Sequence, residues 1–180
     1  MIFDIALAGS WRQKALIRLL AENLRAAFPG RTVFDFTDPR CRQDPDGPAE
    51  IVPRPFDPER TPETYAEHLA AVRAELLPRI KENQAVYAKA RIVILVLPSG
   101  ADAAMDFAYA LAKGAKSFVV GDPVMGRTAN HLWADQIVPT PEALIEALRG
   151  VLAPCRSPAP CTGCPCAGCG APRELSPGLA

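Results

Sequence analysis

The stretch that most constrains the fold is residues 92–120, which read IVILVLPSGADAAMDFAYALAKGAKSFVV. Residues 92–97 form an unbroken run of β-branched residues and leucine, which is typical of a parallel strand buried on both faces. A Pro-Ser-Gly turn follows, and strong helix formers fill residues 103–113 after an N-cap position at Asp102. Residues 117–120 are a second short apolar run. The stretch therefore predicts one βαβ unit, and open α/β sheets bind ligands at the carboxyl ends of their strands.

The same alternation of strands and helices extends over the rest of the chain. Further strands are predicted at residues 2–8, 32–36 and 136–138, and further helices at residues 14–28, 61–90 and 140–148. Thr-Pro-Glu sequences open the last two of these helices, and residues 37–62 are predicted to form a long loop. The order of elements predicts an α/β fold, a doubly wound, flavodoxin-like or Rossmann-like parallel sheet with helices on both faces. We expect about five strands in the order 2-1-3-4-5.

The composition limits the classes of protein to which the chain can belong. At 180 residues it has room for one domain, predicted at residues 1–150, and a short tail at residues 151–180. Lys plus Arg and Asp plus Glu each number 20, and this balance argues against binding to a nucleic-acid polymer or an anionic membrane. No apolar run reaches the ~20 residues of a membrane span, so the expected location is the cytoplasm.

The tail carries five of the six cysteines, in the sequence CRSPAPCTGCPCAGCG. Two C-x-x-C pairs are the units that zinc sites use, but a single residue separates them here and a zinc ribbon needs a longer spacer. The proline and glycine content favours a disordered tail without metal, and a flexible thiolate tail that collects a soft metal is the alternative. Only Cys41 lies outside the tail, so disulfides do not hold the fold together.

The expected strand order sets two loops side by side, residues 9–12 after the first strand and residues 98–102 after the third. The amides of the first loop can face an anion, and the guanidinium group of Arg12 can clamp a phosphate. The alternative is a helix cap at Ser10 beside a solvated arginine. The two loops together predict a crevice at the centre of the sheet.

Three further residues near this crevice are open to two interpretations. Trp11 is either a lid over a ligand bound in the crevice or a cover on the following helix. Asp35 ends the second strand, where an acid can hold a ribose hydroxyl, whereas Asp38 is better suited to capping a turn. The candidate substrate-binding residues are therefore Gly9, Ser10, Trp11, Arg12, Asp35, Ser99 and Gly100.

Four stretches of the chain resemble the nucleoside 2-deoxyribosyltransferase superfamily, in particular its small phage-type members and the related deoxynucleoside 5′-monophosphate N-glycosidases. They are LAGSWRQ at residues 7–13, VFDFTDP at 33–39, TPETYAEHL at 61–69 and VLPSGADAAMDFAYALAKGAK at 96–116. Their order and spacing match that superfamily from residue 2 to about residue 148, and the tail is not covered.

The resemblance implies a carboxylate nucleophile on the helix after the third strand. The matching residue is Asp106, where relatives most often have glutamate, and Ala104 stands where close relatives often have histidine. In this interpretation Asp102 is a proton donor or hydroxyl binder and Tyr109 an orienting phenol. The structural alternative makes Asp102 the N-cap, Asp106 an acid favoured by the helix dipole, and Tyr109 a packed ring.

The sequence thus favours an enzyme that cleaves or transfers the N-glycosidic bond of 2′-deoxynucleosides or deoxynucleoside monophosphates. A catalytically impaired nucleotide-binding module of the same fold is the alternative, and a metal-binding adaptor that uses the cysteine tail is a third interpretation. We expect a small-molecule deoxynucleoside or deoxynucleotide as partner, no cofactor and no metal. The resemblance alone implies a homo-oligomer.

Overall fold

A parallel β-sheet forms the centre of the computed structural model, which describes residues 3–41, 57, 59, 64–122 and 129–152. Its strands are β1 (Ile5–Gly9), β2 (Val33–Asp35), β3 (Ile92–Val96), β4 (Lys116–Val120) and β5 (Gln136–Val138). The α-helices are α1 (Lys14–Ala27), α2 (Tyr65–Tyr87), α3 (Ala101–Ala112) and α4 (Pro141–Leu152). Short 3-10 helices lie at Trp11–Gln13, Pro39–Cys41 and Ala129–Trp133. The described strands pair in the order β2-β1-β3-β4-β5, all parallel, which confirms the predicted fold class and strand order.

Alternate residues of the strands point to opposite faces of the sheet and build two separate cores. On one face, Ile5 and Leu7 of β1 pack with apolar residues of α1 and α4. On the other face, Ala6 and Ala8 of β1 pack with Phe107 of α3 and with the end of α2. The helices therefore cover both faces, as the continuous apolar run of β3 predicted.

Helix α3 begins earlier than the sequence predicted. Gly100 is its N-cap, with extended dihedral angles, and Ala101 is already helical. Asp102 lies in the first turn, so the interpretation of Asp102 as the N-cap is wrong. An acid is favourable at either position, because both lie at the positive end of the helix dipole, and the sequence alone does not separate them.

Helix α2 begins later than predicted, because a second capping sequence follows the first. The hydroxyl oxygen of Thr64 accepts a hydrogen bond from the amide of Glu67, whose carboxylate accepts one from the amide of Thr64. This reciprocal pair is a capping box and starts the helix at Tyr65. The predicted start at Thr61 is therefore wrong, and residues 61–63 lie outside the described residues.

The last helix extends beyond its predicted end at residue 148. Thr140 begins it as expected, since its hydroxyl oxygen accepts a hydrogen bond from the amide of Ala143. The helix continues through Gly150 to Leu152, whose side chain is only 7% exposed and belongs to the core beside α1. Helix α4 thus continues two residues past residue 150, the predicted end of the domain. The cysteines of the tail lie outside the described residues.

Candidate functional site

The two predicted loops meet at the carboxyl ends of the central strands. Gly9 of β1 is in register with Val96 of β3, so the turns that follow these residues are neighbours. They enclose a cleft of about 310 Å³. The cleft is lined by Ser10, Arg12, Gln13, Pro98, Ser99 and Gly100. The predicted crevice is confirmed, and it contains four of the seven candidate substrate-binding residues.

The turn after β1 is shaped by Gly9 and Ser10. A Cβ atom on Gly9 would lie 2.7 Å from Cδ1 of Ile17, so glycine lets α1 pack closely on the end of the strand. The hydroxyl oxygen of Ser10 accepts a hydrogen bond of 3.3 Å from the amide of Arg12, and the carbonyl of Ser10 accepts one from the amide of Gln13. The capping interpretation of Ser10 is therefore confirmed. The side chain of Arg12 is exposed at the cleft wall.

The turn after β3 supplies the opposite wall. Ser99 is buried there, and Gly100 caps α3 without a side-chain hydrogen bond to the first turn. The first amides of a 12-residue helix therefore meet the cleft at the positive end of the helix dipole. Together with the guanidinium group of Arg12, they make the cleft suitable for an anionic group.

Asp106 is partly buried on α3, one turn after the exposed Asp102. Burial, and then the negative charge of Asp102, raise the pKa of the Asp106 carboxyl group to about 7. The loss of hydration disfavours the charged form of this acid and so opposes the stabilising effect of the helix dipole on it. Among the described residues, no ion pair or hydrogen bond compensates the Asp106 carboxylate.

Asp106 does not line the cleft, although its helix begins there. At a rise of about 1.5 Å per residue, Asp106 lies about 9 Å along the helix axis from Gly100. The structure therefore brings Arg12 and the start of α3 together at the cleft and sets Asp106, the candidate nucleophile, farther along the same helix.

A buried phenol that the sequence did not single out lies near Asp106. Tyr87, the last residue of α2, donates a hydrogen bond of 2.7 Å to the carbonyl oxygen of Leu7 in β1. Burial, and then the charges of Asp106 and Asp35, raise its pKa well above the usual value for tyrosine. Tyr87 therefore stays protonated at neutral pH and ties the end of α2 to the central strand. Nothing in the local sequence distinguishes this tyrosine, because its partner is 80 residues away.

The two aromatic candidates lie outside the cleft lining. Tyr109 is 38% exposed, and the ammonium group of Lys113 lies 5.5 Å from the centre of its ring. The ring of Trp11 contacts Phe36, with 6.1 Å between the ring centres, and lies beneath the ammonium group of Lys14. These contacts favour Trp11 as a cover on α1.

Asp35 lines a second, smaller cavity rather than the cleft. Its side chain is 1% exposed, and one carboxylate oxygen accepts hydrogen bonds from the amide and the hydroxyl of Thr37. This cavity, of about 180 Å³, lies against α1 and is lined by Arg18, Glu22, Arg25, Asp35, Asp38, Pro39 and Arg40. The predicted substrate-binding residues are therefore not all brought together: four line the cleft, Asp35 lines this second cavity, and Gly9 and Trp11 line neither.

Asp38 has the turn-capping role that the sequence favoured. It accepts a hydrogen bond of 3.0 Å from the amide of Arg40 and pairs with the guanidinium groups of Arg40 and Arg25. The hydrogen bond from the Arg40 side chain contributes most to holding the pKa of Asp38 below its usual value. This network joins α1 to the edge strand β2.

The comparison of the sequence with models of known protein families gives no match, and the comparison with curated proteins gives none either. Within the described ranges, no helix has both the length and the apolar composition that a membrane crossing requires. In those same ranges, no group of three or more His, Cys, Asp or Glu side chains is arranged to hold a metal ion.

Proposed function

We propose that this protein cleaves or transfers the N-glycosidic bond of 2′-deoxynucleosides or deoxynucleoside 5′-monophosphates in the cytoplasm, with Asp106 as the nucleophile. The resemblance of the four stretches to nucleoside 2-deoxyribosyltransferases supports the reaction class. The observation that carries the proposal is an uncompensated carboxylate on the same helix whose N-terminus closes an anion-binding cleft. In a phosphorylated sugar, the phosphate is the group that binds in the cleft, and the anomeric carbon is the atom that the carboxylate attacks.

The phosphate of the substrate binds to the guanidinium group of Arg12 and to the first amides of α3. The sugar then extends along the helix toward Asp106, over a distance of about 9 Å from Gly100. A monophosphate uses the cleft more fully than a free nucleoside does, because its charge pairs with the exposed arginine.

In the reaction, a carboxylate oxygen of Asp106 forms a bond to the anomeric carbon while the bond from that carbon to the base nitrogen breaks. The bonding electrons leave with the base, which takes a proton from water. The resulting sugar ester is then attacked by water or by a second base, and the carboxylate of Asp106 is released. Attack requires ionised Asp106, so its raised pKa sets the lower pH limit of activity.

A second candidate function is a nucleotide-binding module that has lost catalysis. Two observations favour it. Asp106 lies outside the cleft lining, and its pKa of about 7 disfavours the ionised form that a nucleophile needs. In this case Arg12 and the start of α3 bind the nucleotide, and no bond is broken.

Incubation with deoxynucleosides and deoxynucleoside 5′-monophosphates, with chromatographic detection of the free base, separates the two functions. We expect Asp106→Asn to lose about 10³-fold or more of the activity, and wild type to carry a sugar adduct on Asp106 that mass spectrometry detects. Glu142→Gln, which removes an exposed carboxylate at the start of α4, is the matched control and should not change the rate. Equal turnover by Asp106→Asn rules out the nucleophile, and nucleotide binding without base release supports the binding module.

We also propose that the protein is a homo-oligomer, as the resemblance implies. Large apolar side chains are exposed on α2, on α3 and on the 3-10 helix Ala129–Trp133, which contacts α3. They include Tyr65, Leu69, Met105, Leu132 and Trp133, the last 75% exposed. Light scattering after size-exclusion chromatography measures the oligomeric state, and Trp133→Lys should shift the protein toward the monomer. A wild-type monomer at high concentration contradicts the proposal.

A further inference from the structure

Gln13 lines the cleft, and its side chain carries a buried polar atom that no described residue satisfies. Its side-chain oxygen Oε1 is buried and has no hydrogen-bond partner among the described residues. Two other buried side-chain atoms in the described ranges share this condition, on Asp35 and Arg79, and neither residue lines the cleft. Among the residues that line the cleft, Gln13 is thus the one with a buried side-chain acceptor that no described residue pairs with.

An unpaired buried acceptor costs free energy in the empty protein, so its presence at a cleft calls for an explanation. The backbone of Gln13 is fixed, because its amide donates a hydrogen bond of 2.8 Å to the carbonyl of Ser10. The last torsion of a glutamine side chain is soft, however, and lets the amide group turn toward the cleft while the backbone stays in place. A bound group that donates a hydrogen bond would satisfy the oxygen.

Gln13 and Arg12 line the same cleft, so the donor is a group close to the phosphate that Arg12 binds. If the phosphate of a deoxynucleotide lies at Arg12, the groups within reach of the following residue belong to the sugar, and the base lies beyond it. A 2-deoxyribose 5-phosphate unit within a nucleotide has one free hydroxyl group, on carbon 3′. The cleft volume of about 310 Å³ is at the lower end of the range of about 300–1,000 Å³ for ligand pockets, which fits a sugar phosphate better than a whole nucleotide.

We infer that Gln13 accepts a hydrogen bond from the 3′-hydroxyl group of the bound sugar and selects ligands that carry it. This inference rests on the substrate class of the proposed function, but it concerns binding and does not require turnover. A site that hydrogen-bonds a hydroxyl group discriminates against the analogue that lacks it. Gln13 is therefore a specificity residue, beside Arg12, which binds the phosphate of any nucleotide.

The test is calorimetric titration of the full chain with thymidine 5′-monophosphate, its 3′-deoxy analogue and inorganic phosphate. The titrations use an Asp106→Asn background, which removes turnover by the proposed nucleophile. We expect the 3′-deoxy analogue to bind about 10-fold more weakly than thymidine monophosphate, as fits the loss of one hydrogen bond. Gln13→Met keeps an unbranched side chain of similar length and should remove this difference, while binding of inorganic phosphate stays unchanged. Arg12→Met is the matched control, because it should weaken all three ligands.

Equal binding of the two nucleotides by the Gln13 parent protein overturns the inference, and so does discrimination that survives in Gln13→Met. Binding of inorganic phosphate without binding of either nucleotide also overturns it. Thermal denaturation gives a second measurement on the same variants. Gln13→Met should melt no lower than its parent, because it removes an unpaired buried oxygen. If the protein binds thymidine monophosphate more tightly than the 3′-deoxy analogue but the wild type releases no base, the role of Gln13 stands. Only the proposed reaction is then overturned.

Discussion

Asp106 lies one helical turn after Asp102 on α3, and the charge of Asp102 adds to burial in raising the pKa of Asp106 to about 7. Like charges at this spacing oppose each other's ionisation. The folded protein therefore holds a proton on Asp106 over a pH range in which the unfolded chain does not. Both stability and activity should depend on pH through this one residue.

The first prediction concerns stability. The pKa of Asp106 is about 7 in the folded protein and near 3.8 in the unfolded chain, so the folded state binds the extra proton between these values. The stabilisation of the folded state by protonated Asp106, relative to the ionised acid, is complete below about pH 4. It is lost as the pH rises to about 7, and above that pH the free energy of unfolding no longer changes through this residue. Asp106→Asn mimics the protonated acid and should raise the free energy of unfolding at pH 8 by roughly 2–4 kcal/mol, with no gain below pH 4. Urea denaturation at both pH values measures the difference.

Asp102→Asn is the control for that measurement, because it removes an exposed carboxylate from the same helix. Its direct effect on the free energy of unfolding should be small, and it should reduce the gain from Asp106→Asn by lowering the pKa of Asp106. A gain from Asp106→Asn that is equal at pH 4 and pH 8 contradicts the prediction.

The second prediction concerns the pH dependence of the proposed reaction. If Asp106 is the nucleophile, kcat/KM for base release should rise with pH and level off above about 7, since only the ionised acid attacks. Asp102→Asn should move this rise to lower pH, because it removes a negative charge one turn away. If kcat/KM instead falls as the pH rises through 7, Asp106 acts as a proton donor and not as the nucleophile.

The order of the strands in the sheet could be predicted from the sequence, but the first residue of every helix could not. The strands could be predicted because buried parallel strands are continuous apolar runs, and the crevice followed from their order. The start of α2 was wrong because Thr61 and Thr64 both begin plausible capping sequences, and only the second completes a capping box with Glu67. The two capping sequences compete for the start of the helix, and only Thr64 is followed three residues later by the glutamate that a capping box requires.

The candidate site was predictable where it depends on topology and not where it depends on burial. Ser10 and Ser99 were found because they follow adjacent strands. The unpaired oxygen of Gln13 and the bond from Tyr87 to Leu7 depend on side-chain packing between distant parts of the chain. The spacing of residue types along a single sequence cannot predict either feature.

The third prediction concerns the close contact at the end of β1. Gly9→Ala places a methyl group 2.7 Å from Cδ1 of the buried Ile17 and should destabilise the protein by about 1–3 kcal/mol. Ile17→Val removes that carbon and by itself should cost about 0.5–1.5 kcal/mol. The double variant should be more stable than the sum of the two single effects, because the valine leaves room for the alanine. Strict additivity in denaturant unfolding would show that the contact is relieved in another way.

The fourth prediction concerns the end of the folded region. Truncation after Leu152 should leave the melting temperature nearly unchanged, because the remaining tail has almost no apolar periodicity. Truncation after Gly150 also removes the buried Leu152 and should cost about 1–3 kcal/mol. The pair of variants differs by two residues, so each is the other's control. A large loss from the longer variant would mean that the cysteine-rich tail stabilises the domain.

The position of β1 between β2 and β3 also has a consequence for synthesis of the protein. A nascent chain that has emerged from the ribosome as far as residue 41 can pair β1 with β2. The other edge of β1 stays open until Ile92–Val96 has also emerged. At about 5–20 residues per second, the ribosome needs roughly 3–10 s for this interval. During that time the apolar strand exposes an unpaired edge, which other chains can pair with. The arrangement that puts the cleft at the centre of the sheet thus leaves the nascent chain prone to aggregation until its third strand is complete.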